Sequence, residues 1–407
     1  MITFFSYRKW IAFLVSICFI FHAVMPLSAA SLSQNQILAK SCAVMDGYNN
    51  RILLDKNAYD PMANASTTKI MTCILTLEHA DLDNLVLISE NASNQPKVRL
   101  GLVTGKEYIL KDLVYGLMLE SFNDCAVAIA EHVAGDVEAF AEMMNDKAEE
   151  LGCKDTYFVT PNGLDATNNG NEHHSTAADL CRIMKYCVWE SKAAEQFLKI
   201  TQTLSYECMD PNGQMHLFAN HNNLYANDQH AISGKTGYTA KAGYCYVTAY
   251  EEDGLRFCIA LLGCGWPEHK DYKWIDSRKI IEYIKKEYVV SELQQEKAVF
   301  QTPYCISDGY VGNVDLDKWQ QNIEISGSLS ENSMEPLKYL HTKQEKISMD
   351  KQYKKELLAP ISKGQKIGRV NYYFGKIKIG SRDIEANQEV HIWNLKKLAY
   401  AIFLQYF

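Results

Sequence analysis

Apolar positions follow two rhythms along this chain. Residues 70–77 (Ile-Met-Thr-Cys-Ile-Leu-Thr-Leu) are apolar on nearly every face, which is how a helix sunk in a domain centre reads. The polar cluster just before them, Asn64-Ala65-Ser66-Thr67-Thr68-Lys69, is a helix N-terminus signal. Alternation in residues 42–46 and 51–55, around Gly47-Tyr48-Asn49-Asn50, predicts a β-hairpin that leads into this helix. A second short strand pair is expected within residues 97–109, around Thr104-Gly105. Helices are expected over 111–119 and 124–134, with the polar corner Glu120-Ser121-Phe122-Asn123 between them. Asp136 reads as the cap of a further helix whose stripe is Val137, Phe140, Met144 and Leu151, closed by Gly152.

The loop that opens at Thr160-Pro161-Asn162-Gly163-Leu164-Asp165 runs to His174, and Thr176 with Asp179 reads as a capping box for a helix through Trp189. Strands at 203–208 and 214–218 flank the turn Asp210-Pro211-Asn212-Gly213. Gly234-Lys235-Thr236-Gly237-Tyr238-Thr239 leads into a strand over 244–250, and the turn at Asp253-Gly254 returns the chain through 255–262. An amphipathic helix over 273–288 closes this part. Helices around a mainly antiparallel sheet make an α+β fold. From residue 289 to 388 short β-like runs alternate with charged turns, which predicts a smaller all-β domain. The tail carries Ile392, Leu395, Ala399, Ile402 and Tyr406 on one side, with Asn394, Lys397 and Gln405 on the other. Such a helix is too short to span a bilayer but suits lying in its surface; packing on the all-β domain is the plainer alternative.

With 407 residues, 47% apolar and 22% charged, the chain has ample material for two or three domains. A net charge of −8 without basic patches sets nucleic acid aside as a partner. Residues 1–30 read as an export signal, with Arg8 and Lys9, an apolar core from Trp10 to Met25, and Ser28-Ala29-Ala30 before the cut. An uncleaved anchor is the alternative. The expected division is therefore 1–30 signal peptide, 31–288 α+β domain, 289–388 β-domain and 389–407 amphipathic helix. Of 12 cysteines, 11 follow the signal, and none forms a Cys-x-x-Cys pair, so no metal site is expected. Several sit inside apolar runs, which reads as mostly free, buried thiols suited to a reducing or anaerobic habitat. Cys245 with Cys258 is the pair to test first for a bond.

Ser66 and Lys69 are three apart, so a helix stacks their side chains on one face. A serine hydroxyl is a weak nucleophile until a base takes its proton, and a lysine of lowered pKa is such a base. The spacing alone is weak evidence. It recurs at Ser348-Met349-Asp350-Lys351, in a polar stretch with no buried helix after it, where it reads as chance. What raises the first copy is company: Ser121/Asn123 at an inter-helix corner and Lys235-Thr236-Gly237 at a strand edge follow in order. Bringing a lysine from about 10.4 to about 7 needs roughly 4–5 kcal/mol of bias toward the neutral form. Burial and a second ammonium at Lys235 both push that way.

On these motifs the chain resembles the low-molecular-mass penicillin-binding proteins, the serine-type D-alanyl-D-alanine carboxypeptidases. The likeness covers residues 40–290. It includes Ala65 to Thr72, Pro161-Asn162-Gly163-Leu164-Asp165, His174-Ser175-Thr176-Ala177, Lys235 to Thr239 and Lys241-Ala242-Gly243-Tyr244. Leu358-Ala359-Pro360-Ile361 with Gly364-Gln365 resembles the β-domain that follows in many members. The resemblance implies that Ser66 attacks the carbonyl between the last two D-alanines, while a neutral Lys69 takes its proton. Ser121 and Asn123 would relay protons and hold the substrate amide. Lys235 and Thr236 would bind the terminal carboxylate, next to Gly237, and the backbone N–H groups of Ser66 and Tyr238 would form the oxyanion hole. It also implies peptidoglycan stem peptides as substrate, β-lactams as covalent inhibitors, no cofactor, and anchoring at the outer face of the cytoplasmic membrane. Two departures stand out: Phe122 is bulkier than usual and is expected to alter access to the cleft, and Lys273 stands where relatives often carry arginine.

Plainer readings attach to the remaining polar residues. Glu172-His173-His174 reads as loop rather than metal site, because adjacent histidines point apart. Asp165 reads as a loop brace, and Asn220, Asn222 and Asn223 as a cleft brace or a turn. Two rival functions remain at this point. A β-lactamase would share fold and acylation, but the second motif lacks that family's aspartate; a non-catalytic β-lactam sensor or wall-binding module would not need the Ser66/Lys69 pair.

Overall fold

The computed structural model describes residues 32–293, 300–306, 309–311, 323–330, 337–354, 357–392 and 394–406. The expected signal segment lies outside the described residues. Residues 32–37 hold one short turn, Gln34–Gln36, capped by Ser33.

From Leu38 onward the organising layer is a five-stranded antiparallel sheet. Its strands are β1 (Ser41–Asp46), β2 (Ile52–Lys56), β3 (Ser233–Thr239), β4 (Gly243–Glu252) and β5 (Leu255–Leu262), in the order β2-β1-β5-β4-β3. All six residues of β1 are buried, where the sequence suggested alternation. The sheet is covered on both faces, so neither face selects for polar side chains. The helix Ala177–Lys185 packs on β1, β4 and β5, and Tyr272–Glu287 on β4 and β5. β3 is an edge strand, its backbone groups on one side unpaired within the sheet.

The helix α1 (Lys69–His79) is buried from Lys69 through Leu77, as its all-round apolar pattern predicts. It runs through the main core, against Asn123–Ala134 and Val137–Glu150. Asp136 caps the latter by accepting from Ala139 N–H at 2.7 Å. Thr176 Oγ1 likewise accepts from Asp179 N–H, but the expected box does not close. The Asp179 carboxylate turns instead to Asp155 N–H, Thr156 and Arg182. The partner of Glu107–Ile109 is Leu85–Leu87, not a strand within residues 97–103. That nearer stretch is spent on the Asp124 carboxylate, which accepts from Leu100, Gly101 and Leu102 N–H. The helix Ala194–Thr201 had no counterpart in the sequence reading.

A second five-stranded sheet (Phe300–Ile306, Ile323–Leu329, Ile347–Tyr353, Lys366–Phe374, Ile377–Ala386) forms the all-β part. Arg51 fastens the hairpin to it: buried, it donates to Leu340 O at 3.0 Å, pairs with Glu345 and lies over the Phe374 ring. Asp46 adds a bond from Leu340 N–H at 2.9 Å. The last helix is Leu395–Tyr406, and the residues expected on its apolar side, Leu395, Ala399, Ile402 and Tyr406, all face outward. No described helix is long and apolar enough to cross a membrane. Ten of the described cysteines are free thiols, eight of these buried, and Cys245 and Cys258 are among them. The bond between those two is absent: Cys258 faces Ala249 and Met45 across the sheet, four positions along β4 from Cys245.

Candidate active site

Ser66 lies in a tight turn, Ala65–Thr68, that runs directly into α1. Its geometry is set locally. Thr67 Oγ1 donates to Asn64 O at 2.6 Å and Thr68 Oγ1 to Ala65 O at 2.8 Å. Ala65 sits at φ +49°, a left-handed conformation that costs an alanine about 1 kcal/mol and marks a built turn. One turn on, Lys69 is 0% exposed, and its Nζ lies 2.8 Å from Ser66 Oγ.

Two further groups complete the surroundings of that amine. Nζ donates to Asn123 Oδ1 at 3.0 Å and to the backbone carbonyl of Asn162 at 2.7 Å. Asn123 is held in this orientation because its Nδ2 donates to Pro96 O and its N–H to Val98 O. The Asn162 carbonyl is delivered by the loop predicted at 160–165, which Thr72 Oγ1 pins to α1 through Pro161 O at 2.6 Å. Burial holds the Lys69 pKa well below the ordinary lysine range, and the nearby Lys235 pushes it the same way. The larger cause is burial; the second ammonium adds to it.

Ser121 follows at the corner with φ +66°, its Oγ buried and without a hydrogen-bond partner among the described residues. Lys235 and Thr236 come from β3, in register with Val247 and Tyr246 of β4. Lys235 Nζ donates to Thr236 O at 3.0 Å, and burial lowers its pKa to about 7 against the opposing pull of Glu120. It reaches Lys69 through charge rather than a hydrogen bond. Gly237 is needed for close approach, since a Cβ there would stand 2.8 Å from Ser66 N and 3.1 Å from Thr67 N. Tyr238, next along, packs on Tyr244 with ring centres 4.6 Å apart.

A cleft of about 460 Å³ is lined among others by Ser66, Ser121, Asn123, Thr236, Tyr238 and Lys273, while Lys69 and Lys235 do not line it. Phe122 does not line it. The ring packs edge-on against Phe218 at 5.5 Å and over Gly116, so its bulk fills core rather than narrowing access. Lys273 directs its ammonium to Lys270 O and across the Tyr244 ring at 4.5 Å. Asn222 braces β4 by accepting from Tyr246 OH at 2.7 Å, and Asn220 ties Thr201 O to Thr203 O. Ser348 and Lys351 lie on a strand, Ile347–Tyr353, with odd spacing that sends them to opposite faces, so the second Ser-x-x-Lys copy is chance. No group of acidic, His and Cys side chains among the described residues is arranged to hold a metal. Glu172 pairs with Lys241 at 2.8 Å, while His173 turns inward.

Residues 28–264 match the family model described as D-alanyl-D-alanine carboxypeptidase. The chain belongs to the D-alanyl-D-alanine carboxypeptidase family. Residues 305–391 match a second model, the C-terminal domain of penicillin-binding protein 5. The D-alanyl-D-alanine carboxypeptidase DacF of Bacillus subtilis is 30% identical over 339 residues, 81% of this chain and 80% of that one. Among solved structures, penicillin binding protein 5 from Haemophilus influenzae superposes with a TM-score of 0.68 at 23% identity, over 88% of this chain and 98% of that one. The carboxypeptidase from Mycobacterium tuberculosis H37Rv gives 0.57 at 28% identity, over 63% and 94%. The protein is thus a serine-type D-alanyl-D-alanine carboxypeptidase, a hydrolase of the penicillin-binding class, and the β-lactamase and sensor readings fall away.

Sequence reasoning missed two groups packed around the candidate site. The Asn162 carbonyl is backbone, so only the resemblance of its loop marked the place. His173 was read with His174 as loop because adjacent histidines point apart, and they do: His173 is buried while His174 is partly exposed.

Proposed function

We propose that this carboxypeptidase releases the terminal D-alanine of peptidoglycan stem pentapeptides through an acyl-enzyme on Ser66. The observation that carries the reading is the set of three contacts around Lys69 Nζ. A neutral amine has two N–H donors and one lone pair. Asn123 Oδ1 and the Asn162 carbonyl are acceptors and take the two donors, which leaves the lone pair aimed at the Ser66 hydroxyl. Lys69 accepts the Ser66 proton as Oγ attacks the penultimate D-alanine carbonyl, and the proton passes by way of Ser121 Oγ to the departing amine. The backbone N–H groups of Ser66 and Tyr238 receive the oxyanion; losing one such donor typically costs about 3 kcal/mol. Water then releases the acyl group by the reverse relay.

The substrate enters as an extended strand beside the free edge of β3, where main-chain pairing fixes its register. Its terminal carboxylate sits at Thr236 and Lys235. Burial lowers Lys235 to about 7, and the incoming carboxylate favours its protonated form. A β-lactam acylates Ser66 by the same attack and is trapped. Incubation with labelled benzylpenicillin followed by peptide mapping should place the adduct on Ser66, with D-alanine released from a peptide ending in D-Ala-D-Ala. An adduct on another residue would overturn the assignment.

Residues 1–30 are read as the export signal, which puts the enzyme at the outer face of the cytoplasmic membrane. The outward apolar side of Leu395–Tyr406, with Leu395 85% exposed, supports surface anchoring. The chain from residue 31 should float with anionic phospholipid vesicles, and a chain ending at residue 392 should stay behind. Equal flotation of both would remove the helix from this role.

A further inference from the structure

His173 is buried and belongs to none of the three motifs, yet it joins the two backbone segments that hold Lys69 and Ser66. Its Nδ1 accepts from Val159 N–H at 3.0 Å and Thr160 N–H at 3.3 Å, at the start of the loop that carries the Asn162 carbonyl. Two donors on Nδ1 fix the proton on the other nitrogen. Nε2–H therefore donates to Thr68 Oγ1 at 2.8 Å. Thr68 Oγ1 also accepts from Asn64 Nδ2 at 2.8 Å and donates to Ala65 O at 2.8 Å. All the hydrogen-bonding capacity of that hydroxyl is used, and its one donated bond goes to the carbonyl of the left-handed residue before Ser66.

We propose that His173 is a positioning residue for acylation, acting through Thr68 on the Ala65 carbonyl and so on the aim of the Ser66 hydroxyl and N–H. The proposal rests on Ser66 being the nucleophile. A peptide plane is rigid, so fixing the Ala65 carbonyl fixes the Ser66 N–H that belongs to the same plane. With the Thr68 bond lost, the left-handed Ala65 has less to hold it, and the plane can relax toward an ordinary conformation. The same imidazole accepts from residues 159–160, which open the loop carrying the Asn162 carbonyl. Burial drives its pKa down to about 3, so the neutral donor–acceptor form persists across the working range.

Two substitutions separate the two ring nitrogens. His173→Gln keeps a donor at the place of Nε2 and loses the acceptor; His173→Asn keeps an acceptor at the place of Nδ1 and loses the donor. Thr68→Val removes the hydroxyl with little change of volume, and Thr68→Ser restores it. The readout is stopped-flow acylation by a fluorescent penicillin, which separates the maximal acylation rate from the dissociation constant of the first complex. His173→Asn and Thr68→Val should each lower the maximal rate at least ten-fold with that constant unchanged. His173→Gln and Thr68→Ser should recover most of the rate, and the double variant His173→Asn/Thr68→Val should lose no more than either single one. Parental rates in His173→Asn and Thr68→Val, losses confined to the dissociation constant, or multiplying losses in the double variant would overturn the proposal. If thermal melting shows His173→Asn to be unfolded, Thr68→Val decides alone, since it leaves Val159 and Thr160 bonded to the histidine. Ser66→Ala, run alongside, distinguishes the two readings. Labelling that survives there sinks the nucleophile assignment, whereas silence there with unchanged Thr68→Val sinks only the role of His173.

Discussion

Lys69→Met should slow acylation by penicillin about 10³-fold while leaving a folded protein. The methionine fills the same buried volume without a charge to desolvate, so the melting temperature should hold, although Asn123 Oδ1 and the Asn162 carbonyl lose their donor. What disappears is the lone pair that takes the Ser66 proton. A 10³-fold loss corresponds to about 4 kcal/mol of transition-state stabilisation. The pH profile tests the same point with a definite sign. Lys69 acts only when neutral, and its pKa is lowered, so parental acylation should be present at neutral pH and fall as the medium is acidified through that pKa. The variant should lack this acid limb. On the alkaline side Lys235 loses its proton from about pH 7 upward, so weakening should appear in KM for carboxylate-bearing substrates rather than in kcat. A Lys69→Met protein that acylates within ten-fold of the parent would remove Lys69 as the base.

Gly163→Ala should be the most damaging small substitution in the loop. Gly163 adopts φ +81°, and a Cβ there would stand 2.0 Å from Ala65 O and 2.8 Å from Thr68 Oγ1. Both neighbours belong to the Ser66 turn, so neither can retreat without moving the nucleophile. The loop must lift instead, taking the Asn162 carbonyl away from Lys69. A misplacement near 1 Å costs on the order of 100-fold in rate, and the left-handed backbone adds about 1 kcal/mol of destabilisation. Gly152→Ala is the control. Its φ is +76°, but a Cβ there meets nothing within 4 Å, so it carries the backbone cost without the collision. Acylation rates and melting temperatures of the two variants should differ by the collision alone. Equal acylation in both would mean that the loop does not position the base.

The parts of this molecule legible in the sequence are those where one residue type admits one environment. The all-apolar run after Lys69 could only be a buried helix, and the hairpin at 42–55 announced itself through its turn. In the candidate site the meeting of Ser66, Lys69 and Asn123 was legible because side-chain chemistry and spacing agreed. Groups whose role depends on where the backbone comes to rest were not. The Asn162 carbonyl carries no sequence signal, since every residue has one. The pairing of Glu107–Ile109 with Leu85–Leu87 was hidden because a nearer stretch looked equally extended, and only the Asp124 carboxylate explains why that stretch is otherwise engaged. Phe122 was misplaced for a related reason: its size was visible, but not the direction in which it pointed.

The sheltered cysteines have a practical consequence. Burial pushes the Cys245 thiol up to about 12 and raises Cys73 as well, so almost none of each exists as the thiolate that alkylating reagents and oxidants attack. Their modification must wait for the surrounding strands and helices to part. These sites are thereby spared in the native enzyme, and the rate at which iodoacetamide consumes the buried sulfhydryls, followed residue by residue, becomes a built-in clock for opening of the catalytic core.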